Sequence, residues 1–189
     1  MNRKLKTMID RDAVNTRALA MWMPISRLVD FRNKTVMDLG YGGGDFIYKA
    51  HIAGASKVTG IDLSSGTKSV EVNVQHTKYG VKSAGTIETI KGDLNLMKTE
   101  WAADISFCFS VLPYLDDPQN FVNWMSNQFK LSVIECQYKG DGPGFGFIKD
   151  TADMKYWLKN SFDNVTLIGN SYVVSRDTYR DIWMCENDL

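Results

Sequence analysis

Glycine at every second position constrains this chain more than any other feature. It occurs in the run Val36-Met37-Asp38-Leu39-Gly40-Tyr41-Gly42-Gly43-Gly44-Asp45-Phe46. The run follows a short apolar stretch and precedes a helix-like segment. Backbone without Cβ atoms can bend sharply, and a flat or chain-like ligand can then lie against it. The helix beyond directs free N–H groups at the same spot. Asp38, at the strand's end, can take a cation or an amine. Together these features describe a site for a nucleoside-type cofactor. The spacing separates it from two other glycine-rich sites. A dinucleotide fingerprint needs Gly-x-Gly-x-x-Gly, yet the third position is Asp45 counted from Gly40 and Ile47 counted from Gly42. The phosphate loop Gly-x-x-x-x-Gly-Lys-Ser/Thr has no counterpart.

Three further segments end in polar residues where apolar runs stop. Val58-Thr59-Gly60-Ile61-Asp62-Leu63-Ser64 reads as a strand ending in an acid, 18 residues after Gly44. A carboxylate there can accept both hydroxyls of a ribose, by the logic of the acidic residue in dinucleotide enzymes. Lys91-Gly92-Asp93-Leu94-Asn95 follows the strand-like 86–90. The run 104–115 reads as a fourth strand and the turn beyond it.

The coarse pattern predicts a helix over 11–22, capped by Asp10 or Asp12 and broken or restarted at Pro24. Strands are expected at 34–39, 57–61, 86–91, 104–109, 131–137, 164–169 and 179–186. Helices are expected at 43–53, 66–78, from Asp117-Pro118 to about 128, and over 150–160. Strands and helices alternate through residue 137, which implies crossovers and a parallel sheet. The last two strands have no helix between them, so one of them runs antiparallel. These features predict an α/β, doubly wound sheet.

With 189 residues the chain suggests a single domain, 1–189. The 22 basic and 22 acidic residues cancel, which leaves no electrostatic argument for nucleic acid or an anionic membrane. Cys108, Cys136 and Cys185 are odd in number and far apart. They read as buried, reduced residues of a cytoplasmic protein, with no metal site. No apolar run is long enough for a membrane span.

The four motifs, in this order and at these distances, resemble those of class I S-adenosylmethionine (SAM)-dependent methyltransferases of the small-molecule type. The resemblance covers about residues 34–189 and only loosely the first 30, as a helical lid over 1–32 on a catalytic core at 33–189. It implies a Rossmann-like three-layer sandwich with a mostly parallel seven-stranded sheet, order 3-2-1-4-5-7-6, strand seven antiparallel. It also implies S-adenosyl-L-methionine as cofactor. Gly40, Tyr41, Gly42 and Gly44 would admit the cofactor. Asp38 would hold the loop amides or, through water, the amino-acid part; pinning the turn is an equal alternative. Asp62 would bind ribose and Leu63 would pack on adenine. Asp93 would meet the adenine amino group, and Leu94 would donate its backbone N–H to the ring. Phe109 and Ser110 would lie beside the methionine part.

On the acceptor side, Tyr114 stands where many resembling enzymes carry a histidine. His51 and His76 fall on helices away from the strand ends and read as surface residues. The segment 135–147 leaves the fifth strand with four glycines and two aromatics, either as a mobile lid or as a plain connection. Glu135, Tyr138, Asp141, Tyr114 and Asp116 are candidates for orienting a nucleophile. Arg17 and Trp22 could close the pocket, though a helix simply packed on the domain explains them as well. The Asn/Asp-Pro-Pro-Tyr/Phe turn of DNA amino-methyltransferases is absent, as is the lysine–aspartate–lysine–glutamate set of ribose 2′-O enzymes. The expectation is methyl transfer to O or N of a small molecule. RNA or protein methylation and a non-catalytic SAM-binding subunit are the alternatives.

Overall fold

The computed structural model describes residues 3–63, 85–96, 100–138, 148–173 and 177–188, without the side chains of 3–15. Its strands are β1 Thr35–Leu39, β2 Lys57–Asp62, β3 Thr86–Lys91, β4 Ala103–Phe109, β5 Phe129–Glu135, β6 Asn164–Val173 and β7 Thr178–Glu186. Its helices are α1 Arg3–Leu28, α2 Asp45–Ile52, α3 Pro118–Gln128 and α4 Thr151–Leu158. The expected helix over 66–78 lies outside the described residues. One seven-stranded sheet has the order β3-β2-β1-β4-β5-β7-β6. Strands β1 to β5 pair in parallel. β7 is antiparallel to both β5 and β6. The architecture expected from the motifs is therefore the one observed.

The period-two alternation of strands sorts their side chains into two cores. Val36, Val58, Ile105, Phe107 and Val133 face α1 and α2, against Met21, Ile25, Ile47 and Ala50. Met37, Leu39, Ile61, Cys108 and Ile134 face α3 and α4, against Val122, Met125, Met154 and Leu158. Asp117 caps α3, accepting from the Asn120 amide at 3.0 Å, with Pro118 at the first helical position. Asp150 caps α4 through the amides of Ala152 and Asp153.

Two expectations need correction. Pro24 does not break α1, which runs unbroken from Arg3 to Leu28 and starts eight residues before the expected 11. A helix-interior proline forfeits one backbone hydrogen bond, and here tertiary packing outweighs that loss. Met21 and Ile25, on either side of it, are 1% and 0% exposed. Gly169 of β6 leaves room for the ring: a Cβ there would lie 3.2 Å from Pro24 Cγ. His51 is not a surface residue but is buried at the end of α2, and burial lowers its pKa. It lines neither of the cavities described below, and His76 lies outside the described residues. All three cysteines are buried and unpaired. Among the described residues no helix is long and apolar enough to cross a membrane, and no group of acids, histidines and cysteines could hold a metal ion.

The seat of α2 on the sheet depends on Gly60. A Cβ there would lie 2.3 Å from Ile47 Cδ1 and 2.7 Å from the Tyr41 ring. Since overpacking of this kind costs about 1–3 kcal/mol, Gly60→Ala is expected to lower the urea midpoint while leaving the far-UV CD spectrum intact. A midpoint equal to the parent's would show that α2 can shift freely.

Candidate functional site

All the motif residues gather where the parallel strands end. The chain leaves β1 at Leu39 and turns through Gly40, Gly42 and Gly44, whose φ angles are 79°, 49° and 78°. L side chains are strained there, so the loop requires glycine. At Gly40 space is also short, since a Cβ would meet Val111 Cγ2 at 2.3 Å; at Gly42 a Cβ would meet nothing within 4 Å. Gly42 therefore presents bare backbone to open space. The loop is held from outside: Gly40 N–H donates to the Ile61 carbonyl at 2.7 Å, and Gly42 N–H to Asp62 Oδ2 at 2.9 Å.

Two cavities meet over this loop, sharing Gly40, Phe109 and Ser110. One, of about 250 Å³, is lined by Asp62, Leu63, Asp93, Leu94, Val111 and Tyr114 among others. Leu63 is 63% exposed, an apolar side chain left in solvent at the cavity's edge. Asp93 accepts from the Asn95 amide at 2.9 Å and so shapes the turn. The other cavity, of about 200 Å³, lies under α1 and is lined by Arg17, Ala18, Met21, Asp38, Tyr41 and Phe46, with Gly43 and Asp45. An aromatic wall backs it: Phe46 packs on Phe109 at 4.4 Å and Phe109 on Phe107 at 5.3 Å between ring centroids.

Asp38 is the electrostatic oddity of the α1-side cavity. It is 2% exposed, and its Oδ2 has no hydrogen-bond partner. Burial, and secondarily the charges of Asp62 and Asp45, push its pKa up to about 8. A buried acceptor without a donor is costly and suits an incoming donor group.

Glu135, at the end of β5, is 0% exposed. Arg17 of α1 donates Nη2–H to its Oε1, Ser171 Oγ–H donates to Oε1 at 2.9 Å, and Ser110 Oγ–H donates to Oε2 at 2.7 Å. Arg180 Nη1 stands 3.9 Å from Oε2 and donates to Ser110 Oγ at 2.8 Å, as does Arg17 Nη2 at 2.9 Å. Ser110 takes φ 60° to serve as this crossing point, a conformation that costs a non-glycine residue energy.

Of the five residues expected to orient a nucleophile, Tyr114 lines one of these two cavities, the one with Asp62, and it is 62% exposed. Glu135 is enclosed by its partners. Tyr138 donates its hydroxyl to Asp181, which also accepts from Thr151 Oγ1 at 2.6 Å; burial first, and that hydrogen bond next, raise the phenol's pKa. Asp141 and most of the glycine-rich loop lie outside the described residues. Asp116 donates its backbone N–H to Asn95 Oδ1 at 2.9 Å. Trp22 stacks on Phe31 at 5.1 Å and lines neither cavity. The residues that sequence reasoning underrated are Arg17 and Arg180. Arg17 carries a signal in retrospect, since it shares its helix face with Met21, four positions on, which is a core residue.

A comparison of the sequence with curated proteins finds no match. The methyltransferase domain family matches residues 37–130, about half of the chain, from β1 and the glycine loop to the start of β5. The chain belongs to the class I SAM-dependent methyltransferases. Solved structures agree on the fold. Magnesium protoporphyrin IX methyltransferase (ChlM) from Synechocystis PCC 6803 with bound SAM superposes with a TM-score of 0.66 at 16% identity, covering 100% of this chain and 85% of that one. The N-methyltransferase NodS from Bradyrhizobium japonicum, in complex with S-adenosyl-l-homocysteine, gives 0.66 at 15%, covering 93% and 87%. A putative RNA methyltransferase from Pyrococcus horikoshii gives 0.60 at 16%, covering 92% and 84%.

The raised pKa of Asp38 has a consequence for stability. The folded carboxyl stays protonated up to about pH 8, while in the unfolded chain it ionises near its ordinary value of about 3.9. The stability it contributes is complete below about pH 4 and is lost as pH rises through about 8. Asp38→Asn is expected to gain on the parent across that interval, by on the order of 1 kcal/mol per pH unit at most. Urea denaturation of the cofactor-free protein at several pH values measures this. Parallel stability–pH curves for the two proteins would contradict the burial argument.

Proposed function

We propose that the chain moves a methyl group from S-adenosyl-L-methionine to an O or N atom of a small-molecule acceptor. One observation carries this reading: the two cavities meet over Gly40, and each offers the chemistry of one end of that cofactor. The cavity with Asp62, Leu63, Asp93 and Leu94 takes the nucleoside. Asp62 accepts from the ribose hydroxyls. Leu63 covers the adenine, Asp93 meets its amino group, and the Leu94 N–H meets its ring. The bare backbone at Gly42 lets the chain pass, and Gly44 closes the loop onto α2. In the other cavity, the positive charge of the cofactor's ammonium favours the ionised form of Asp38, which receives it.

The bound cofactor supplies an activated methyl on a sulfonium. The residues of this chain supply alignment and dryness, and alignment alone can contribute up to about 7–11 kcal/mol. Phe46 and Phe109 keep water from the junction, and Ser110 fixes the end of β4 beside it. Tyr114, at the rim, is the expected residue that approaches an acceptor; a phenol or amine acceptor needs little proton removal before attack. Tyr138 and Glu135 act by fixing the backbone around the junction. Neutral net charge weighs against RNA as acceptor.

Calorimetry tests the cofactor assignment. SAM and S-adenosylhomocysteine are expected to bind, and NAD and ATP are not. Asp62→Ala should weaken both cofactor forms by roughly 10- to 100-fold, and Gly42→Val by more, since a branched side chain fills the open space and strains the turn. S-adenosylhomocysteine formation with a panel of phenols, amines and carboxylic acids then tests the acceptor class. Cofactor binding with no turnover on any of them, but turnover on RNA, would overturn the small-molecule reading.

A further inference from the structure

The two edges of the sheet are built differently. β3 closes one side with six residues, Thr86–Lys91, and carries Glu88 and Lys91. Glu88 reaches Lys57 of β2 at 2.9 Å. Charged side chains on a short edge strand keep further strands from adding to it. β6 closes the other side with ten residues, Asn164–Val173, the longest of the seven strands. At about 3.4 Å per residue it runs for roughly 34 Å. Its sequence, Asn-Val-Thr-Leu-Ile-Gly-Asn-Ser-Tyr-Val, contains no charged residue and no proline.

Among the described residues, β6 is paired along one flank. β7 runs beside it, in register from Asn164 opposite Glu186 to Val173 opposite Thr178. In an antiparallel pair about half of the residues turn N–H and C=O away from the partner strand. On the outer flank of β6 these groups make no backbone hydrogen bond to any described residue. α1 covers one face of the strand, with Pro24 over Gly169, and leaves that edge open. The register with β7 slips between Leu167 and Gly169, and such an irregularity bends the strand there. Above it, Gly169 to Val173 keep unbroken register with Ile182 to Thr178. Ser171, the middle residue, turns inward to Glu135 at 2.9 Å. By alternation Asn170 and Tyr172 turn to the opposite face, where both are exposed.

A long uncharged edge is a template for another strand. A second copy of the chain suits it on two counts. It brings an identical neutral strand, so antiparallel pairing sets no like charges opposite one another. The pairing is also isologous: it uses the open edge of both copies and stops there. Stacking β6 of one copy on β3 of the next would instead propagate into fibres, and Glu88 and Lys91 oppose it.

We propose that β6 is a self-association edge, on which Gly169–Val173 pairs antiparallel with the same segment of a second copy about a two-fold axis through Ser171. The inference stands apart from the cofactor reading. The paired segment is short beside the roughly 20–30 residues a side of a standard interface, so the dimer is weak and depends on concentration.

Sedimentation velocity of the full chain over a concentration series tests this. The parent is expected to move from the mass of one chain, 21.4 kDa, toward twice that mass as concentration rises. Asn170→Lys and Asn170→Glu each set like charges about 7–8 Å apart across the axis. Each should weaken the dimer by roughly tenfold or more, while Asn170→Gln should associate like the parent. An equimolar mixture of the Lys and Glu variants should recover the dimer, since opposite charges then face each other. The mixture reads association and not folding, because one misfolded variant does not rescue another; far-UV CD and the thermal midpoint are read alongside. A parent that stays monomeric throughout overturns the proposal and leaves the edge to a foreign strand or to none. A dimer that both charged variants keep overturns it too, because association then uses another surface. Weakening in both variants without recovery in the mixture overturns the two-fold pairing.

Discussion

A carboxylate without exposed surface governs the upper end of this molecule. Removing Glu135 from water costs several kcal/mol unless every lone pair is answered. Here the answers come from four different elements: Arg17 on α1, Ser110 after β4, Ser171 on β6 and Arg180 on β7. The requirement to satisfy one buried charge thus decides where the first helix docks, how β4 ends and how the antiparallel pair aligns with β5. Removing one partner would strand a charge, so the elements are coupled more tightly than their apolar contacts alone demand.

The glycine loop solves a complementary problem. Gly40 must be small because Val111 crowds it, whereas Gly42 has open space beside it and is glycine for its φ of 49°. The same residue type in one loop meets a crowded position and an open one. Asp62 ties the loop to the end of the neighbouring strand through the Gly42 amide. The two cavities therefore share one rigid floor, and a ligand spanning both meets groups whose spacing is set by the sheet and not by side-chain rotamers.

What could be read from the sequence was what chain neighbours encode. Glycine spacing, an acid at the end of a strand-like run, and Asp117-Pro118 at a helix start are local statements, and the structure has the elements they imply. Strand order followed from family resemblance to these motifs. Pro24 misled because a local rule met a tertiary exception, a proline ring seated over Gly169. His51 misled because a polar residue was weighed by type and not by the face of α2 on which it falls. The Arg17–Glu135 pair spans 118 positions, and no local pattern announces a partner that distant. Asp38 was legible as a strand-end acid, but its isolation was not, since an unpartnered oxygen is a property of the surrounding packing.

The chain order of the Glu135 partners bears on how the protein is made. Arg17 leaves the ribosome long before Arg180, and β7, which carries Arg180, inserts between β5 and β6. A nascent chain can assemble β1 to β5 and the glycine loop while its first helix still has no completed surface on which to settle. With synthesis at about 5–20 residues per second, several seconds separate the first helix from the strands that complete its seat. The last strand to emerge thus completes the set of partners around Glu135 that the first helix begins.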